Sequence, residues 1–127
     1  MSITPIYASL IVVIFLILSV RVIAARRSGG VSLGDGGDTA LLRRIRAQGN
    51  CAEYAPIGIV IMILMELQRS PDALVHTIGI ALVGGRFLHA IALSSIAPQM
   101  IFRVAGMVLT FLALGIGVLA ILIRQVI

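Results

Sequence analysis

Apolar residues fill this chain in four long runs, and polar residues concentrate between them. The first run, 3–25, carries no charged side chain before Arg21. Arg26-Arg27-Ser28-Gly29-Gly30 and Gly34-Asp35-Gly36-Gly37-Asp38 then predict the longest loop, with Asp38 or Thr39 as the N-cap of the next helix. The second run, 39–68, passes Arg43, Arg44, Arg46 and Asn50. It contains Pro56, which frees the carbonyl of Ala52 and predicts a kink. Ser70-Pro71-Asp72 turns the chain into a third run, 73–94. Ser94, Ser95 and Pro98 mark the last turn, before a fourth run over 98–124. A helix crosses a bilayer with about 20 mostly apolar residues. The pattern therefore predicts an all-α integral membrane protein, an up-down bundle of four transmembrane helices forming a single domain over residues 1–127.

Composition sharpens this reading. The 127 residues are 60% hydrophobic and 12% charged, where a soluble domain carries roughly a quarter charged residues. Four spans use most of the chain and leave no room for a second domain. All ten basic residues are arginine, against five acids, for a net charge of +5. Such a balance can signal nucleic acid, but no soluble basic surface is available and Trp is absent, so nucleic acid is set aside. Arginine without lysine favours planar recognition of carboxylates or phosphates. Cys51 stands alone and can form no intrachain disulfide. The first run is expected to be a retained membrane helix, since 1–5 lack a basic leader and the apolar run to Val20 exceeds a typical signal-peptide core. Arg26, Arg27, Arg43, Arg44 and Arg46 flank the long loop, whereas Arg69 and Arg124 lie toward the other side. The positive-inside bias predicts a cytoplasmic loop with both termini outside.

Alternating spans bring most intramembrane polar residues to one end. Arg21, Arg26 and Arg27 come from the first helix, Arg46, Asn50, Glu53 and Tyr54 from the second, Arg86 and His89 from the third, and Arg103 from the fourth. The other end carries Glu66, Arg69, Asp72, His76 and Arg124, the makings of a solvated rim. Arg46, Asn50, Glu53 and Tyr54 fall at i, i+4, i+7 and i+8, one helical face. Ionisable residues in a span usually meet a partner or a wet cavity. Two readings of this face stand open. Glu53 pairs with Arg46 or Arg86 while Asn50 joins neighbouring helices by a hydrogen bond, or the set binds a small zwitterion rich in carboxylates. His89 suits a proton donor or an interhelical hydrogen bond equally. Cys51 reads as small packing, and the glycines as points of close helix approach. No metal-ligand spacing, phosphate loop or Ser-His-Asp set is present.

The string Arg46-Ala-Gln-Gly-Asn50-Cys-Ala-Glu53-Tyr54-Ala-Pro56, the basic end of the first helix and the long first loop resemble the MAPEG family, the membrane-associated proteins in eicosanoid and glutathione metabolism. The short chain and tight turns look most like its prokaryotic branch. That resemblance implies a MAPEG-like homotrimer in a bacterial inner membrane, with glutathione as cosubstrate held between subunits and no metal. It implies glutathione contacts at Arg26, Arg46, Gln48, Asn50, Glu53 and Tyr54, and Arg86 and His89, at the same membrane level, are counted among the glutathione-binding residues. Arginines suit the two carboxylates, Glu53 the ammonium, and Asn50 and Tyr54 the peptide groups. In enzymatic relatives an arginine stabilises the glutathione thiolate. Arg103 is the match here and Arg27 the fallback. Where eicosanoid-synthesising relatives carry tyrosines late in the third helix, this chain has His89 and Leu93, so eicosanoid synthesis is not expected.

The resulting expectation is a glutathione-dependent transferase or peroxidase acting on small hydrophobic electrophiles or hydroperoxides that arrive through membrane lipid. The alternative is a non-catalytic protein of the same fold that retains a lipid or thiol ligand. A small multidrug exporter is disfavoured, because the first helix lacks the acid that such transport requires.

Overall fold

The computed structural model describes residues 2–94 and 99–126. Four helices account for most of them: α1 Thr4–Gly29, α2 Thr39–Leu67, α3 Asp72–Ser94 and α4 Met100–Val126. Each is long and apolar enough to cross a membrane, and the chain is a multi-pass membrane protein. Bonds between helix ends establish the up-and-down order. Glu66, late in α2, holds the start of α1, Arg21, late in α1, reaches Ser94 at the end of α3, and Arg124, late in α4, reaches the carbonyl of Gln68.

Local chemistry sets the helix ends. α1 continues past residue 25 to Gly29, because Arg26 and Arg27 suit the negative end of the helix dipole. Gly30 then stops the helix in the left-handed region at φ 63°. The N–H groups of Gly30 and Val31 donate to the carbonyls of Arg27 and Arg26 at 3.4 and 3.0 Å. Of the two candidate N-caps of α2, Asp38 serves, its carboxylate accepting from the N–H of Ala40 at 2.8 Å. α2 passes Pro56 without a break in the helix. The turn to α3 places Arg69 at φ 55°, and the Ser70 N–H donates back to the Met65 carbonyl at 2.9 Å. The turn expected over 95–98, with the expected start of the last helix, lies outside the described residues.

α2 and α3 form the middle of the bundle; each touches α1, α4 and the other, while α1 and α4 lie apart. Met62, Met65, Val75 and Leu82 are fully buried between them. Ile11 and Leu18 pack in from α1 and Ala113 from α4. The α3–α4 seam is the closest approach. A Cβ on Gly85 would sit 2.8 Å from the Gly106 carbonyl oxygen, and one on Gly106 2.6 Å from that of Gly85. Only glycine admits this spacing. The outer faces of α1 and α4 expose Val13, Ile17, Val20, Phe111, Leu119 and Leu122, an apolar surface suited to lipid.

Candidate functional site

Arg86 organises the polar end of the bundle. It is 2% exposed, at a depth where an unsatisfied guanidinium is expensive. Its Nη1 donates to the side-chain oxygen of Asn50 and, at 3.4 Å, to the Asn50 carbonyl. Its Nε and Nη2 donate to the hydroxyl of Thr110 at 3.1 and 2.6 Å. Nη2 also lies 3.4 Å from the sulfur of Met107. Thr110 gives its own proton to the Gly106 carbonyl at 2.8 Å, so its oxygen is free to accept from Arg86. The guanidinium carbon stands 5.3 Å from the centre of the Tyr54 ring, within cation–π range. Tyr54 in turn packs edge-on against Phe111 at 5.7 Å. Neutral oxygens and a ring face thus solvate a buried cation and tie α2, α3 and α4 together.

Helical geometry explains how the predicted face of α2 divides. At 3.6 residues per turn, Glu53 falls within roughly 20° of Arg46, whereas Asn50 and Tyr54 rotate roughly 40° and 80° the other way. Asn50 is buried and Tyr54 half-buried against Arg86, while Arg46 and Glu53 are exposed on the outside of the bundle. Of the two readings of this face, Asn50 follows the interhelical one, and Arg46 and Glu53 are left facing outward.

The remaining predicted residues scatter around this centre. His89 is 4% exposed and lies one turn beyond Arg86. It packs against Gly106, where a Cβ would meet the backbone nitrogen of His89 at 2.8 Å. Gln48 is half-buried. Arg103 is exposed in the first turn of α4, and Arg27 in the last turn of α1. The Arg26 Nη1 donates to the Gly34 carbonyl at 2.7 Å, bracing the long loop. The structure therefore joins Asn50, Tyr54 and Arg86 directly and leaves Arg46, Glu53, Arg27 and Arg103 on the surface of the same end. Among the described residues no group of His, Cys, Asp or Glu side chains is placed to hold a metal ion.

Thr110 and Met107 escaped the sequence reading. The only signal for Thr110 was that it is the sole hydroxyl in α4. Glu66 also does more than line a rim. It accepts from the N–H groups of Ile3 and Thr4, the latter at 3.1 Å, a carboxylate at the positive end of α1. His76, placed in the same rim, also has a partner inside the bundle, since its Nδ1 lies 2.8 Å from the hydroxyl of Tyr7.

Comparison with known proteins bears on what this arrangement is. The chain is 36% identical over 118 residues to the inner membrane protein YecN of Escherichia coli (strain K12), covering 93% of this chain and 88% of the relative. The protein of the same name from Escherichia coli O6:H1 (strain CFT073) is similar to the same extent. The model of the MAPEG family matches residues 4–123, which takes in all four helices apart from the end of α4. With that match, and with Asn50 and Tyr54 of the R-A-x-x-N-x-x-E-Y string meeting Arg86 inside a four-helix membrane bundle, this protein belongs to the MAPEG family.

Proposed function

We propose that the protein is a glutathione-dependent transferase or peroxidase of a bacterial inner membrane, working as a homotrimer with glutathione between subunits. The observation that carries this reading is the exposure of Arg46 and Glu53, opposite in charge and about two turns apart on one face of a membrane-spanning helix. An ionised side chain facing hydrocarbon costs roughly 2.5–3.5 kcal/mol on insertion scales, so both call for a polar cover. A neighbouring subunit with a zwitterionic tripeptide at the seam supplies it. Arg46 and Arg26 meet the carboxylates of glutathione, Glu53 its ammonium, and Gln48 a peptide group. Asn50, whose side-chain oxygen is taken by Arg86, keeps its amide N–H donors for the ligand. Arg86 then acts from behind, bonded to Asn50 and set against the Tyr54 ring, rather than touching glutathione.

Bound glutathione supplies a thiol whose pKa near 8.5 leaves only a few per cent ionised at neutral pH. An adjacent cation lowers such a pKa by about 1–3 units. Arg103 is the residue proposed for that task, with Arg27 as the fallback, both exposed at the glutathione end. The substrate, a small hydrophobic electrophile or hydroperoxide, reaches the thiolate from membrane lipid. Arg103→Ala is expected to abolish conjugation while glutathione still binds; unchanged turnover would remove Arg103 from the mechanism and pass the role to Arg27.

A second reading has one observation in its favour: the side-chain oxygen of Asn50 and one guanidinium nitrogen of Arg26 are already engaged in internal bonds. On that reading the chain is a non-catalytic binding protein for lipid or a thiol ligand. Assays with a panel of model electrophiles and hydroperoxides separate the two, since any glutathione-dependent turnover above the Arg103→Ala background excludes it. The inner-membrane assignment draws on the similarity to an Escherichia coli inner membrane protein, and the cytoplasmic placement of the α1–α2 loop on its flanking arginines. A Ser32→Cys variant should react with an impermeant thiol reagent only after the cytoplasmic face is opened.

A further inference from the structure

Arg21 has a place in the fold that the glutathione reading does not use. It sits on α1 eight residues before Gly29, about 12 Å along the helix axis from that end. Its Nη1 donates to the hydroxyl of Ser94 at 2.7 Å. Ser94 is the last residue of α3, so the guanidinium is drawn up to the level where α3 leaves the membrane. Among the described residues Ser94 is its polar partner, and no carboxylate meets it. Directly below the pair runs a groove of about 240 Å³ between α1 and α3. Its walls are Ile14, Ile17 and Leu18 on one side and Phe87, Ala90 and Ile91 on the other. Below Arg21 and Ser94 every lining residue is apolar.

We infer that this groove binds one anionic phospholipid of the surrounding membrane, with an acyl chain along the α1–α3 furrow and the headgroup phosphate on Arg21. The groove is open on the outside of the bundle, with Ile17 and Phe87 each 55% exposed, so a bilayer lipid enters it without leaving the membrane. A guanidinium carries five donors and one goes to Ser94. The rest form the fork that pairs bidentately with phosphate oxygens. The net charge of +5 adds a long-range preference for an anionic headgroup over a zwitterionic one. The inference stands apart from the glutathione site, which none of these side chains contacts in the structure.

Native mass spectrometry of the detergent-purified protein, titrated with phosphatidylglycerol and separately with phosphatidylcholine and oleate, tests it. The expected result is one phosphatidylglycerol per chain, bound more tightly than phosphatidylcholine. Arg21→Gln should weaken it ~10-fold or more, and Arg21→Lys less, since charge survives and the fork does not. Ile17→Trp keeps Arg21 and its bond to Ser94 but fills the furrow, and it should also lose the lipid. Equal binding to wild type and Arg21→Gln, or no preference for phosphatidylglycerol, overturns the inference. So does saturation by oleate with no phospholipid bound, or a cross-link joining position 21 to Glu53 of a second copy.

Discussion

A guanidinium inside a membrane bundle brings five donors that lipid cannot satisfy, and here the α2 amide of Asn50 and the α4 hydroxyl of Thr110 take three of them. Removing either acceptor strands part of a buried cation, and hydrogen bonds to charged groups are worth about 1.5–3 kcal/mol. Asn50→Ala and Thr110→Val should each lower stability by about that amount, read as an earlier midpoint in detergent-induced unfolding. Their effects should be non-additive, because both act through Arg86. Glu53→Gln should behave oppositely. It is exposed within the subunit, so its stability should change by less than about 0.5 kcal/mol, while glutathione affinity falls if it holds the ammonium. The polar membership of this end was legible in the chain, since charges interrupting apolar runs are rare enough to stand out. The pairing was not. Arg46, Asn50, Glu53 and Tyr54 share a face too broad for periodicity to say which of them turn inward, and a lone threonine in an apolar helix is too ordinary to single out Thr110.

Among the elements, α3 and α4 meet at backbone distance through Gly85 and Gly106. Gly106→Val would drive a side chain into the α3 backbone beside His89 and should cost about 1–3 kcal/mol. Because Arg86 and Thr110 straddle the same seam, the variant should also disturb the tie to α2, which near-ultraviolet circular dichroism of Tyr54 would report. The helices themselves were legible because a span of about 20 apolar residues has few other uses. Their ends were less so. Arg26 and Arg27 looked like loop but complete the last turn of α1, where cations are favoured. Glu66 looked like rim because its partners, Ile3 and Thr4, lie more than sixty residues away in sequence.

For the whole molecule, a single subunit leaves Arg46 and Glu53 uncovered on a membrane helix. The proposed homotrimer covers them and frames the glutathione site at the same seam. The family match over 4–123 establishes the fold and its membrane setting; the glutathione chemistry remains the claim to be tested. The most direct measurement is an ultraviolet difference titration of the protein in lipid nanodiscs with glutathione at neutral pH, run beside Arg103→Ala. The account predicts a saturable thiolate absorbance in the wild type that is lost in the variant, although the variant still binds glutathione. Folded wild-type protein that binds glutathione yet shows no thiolate would contradict it, leaving a binding protein in place of an activated-thiol enzyme.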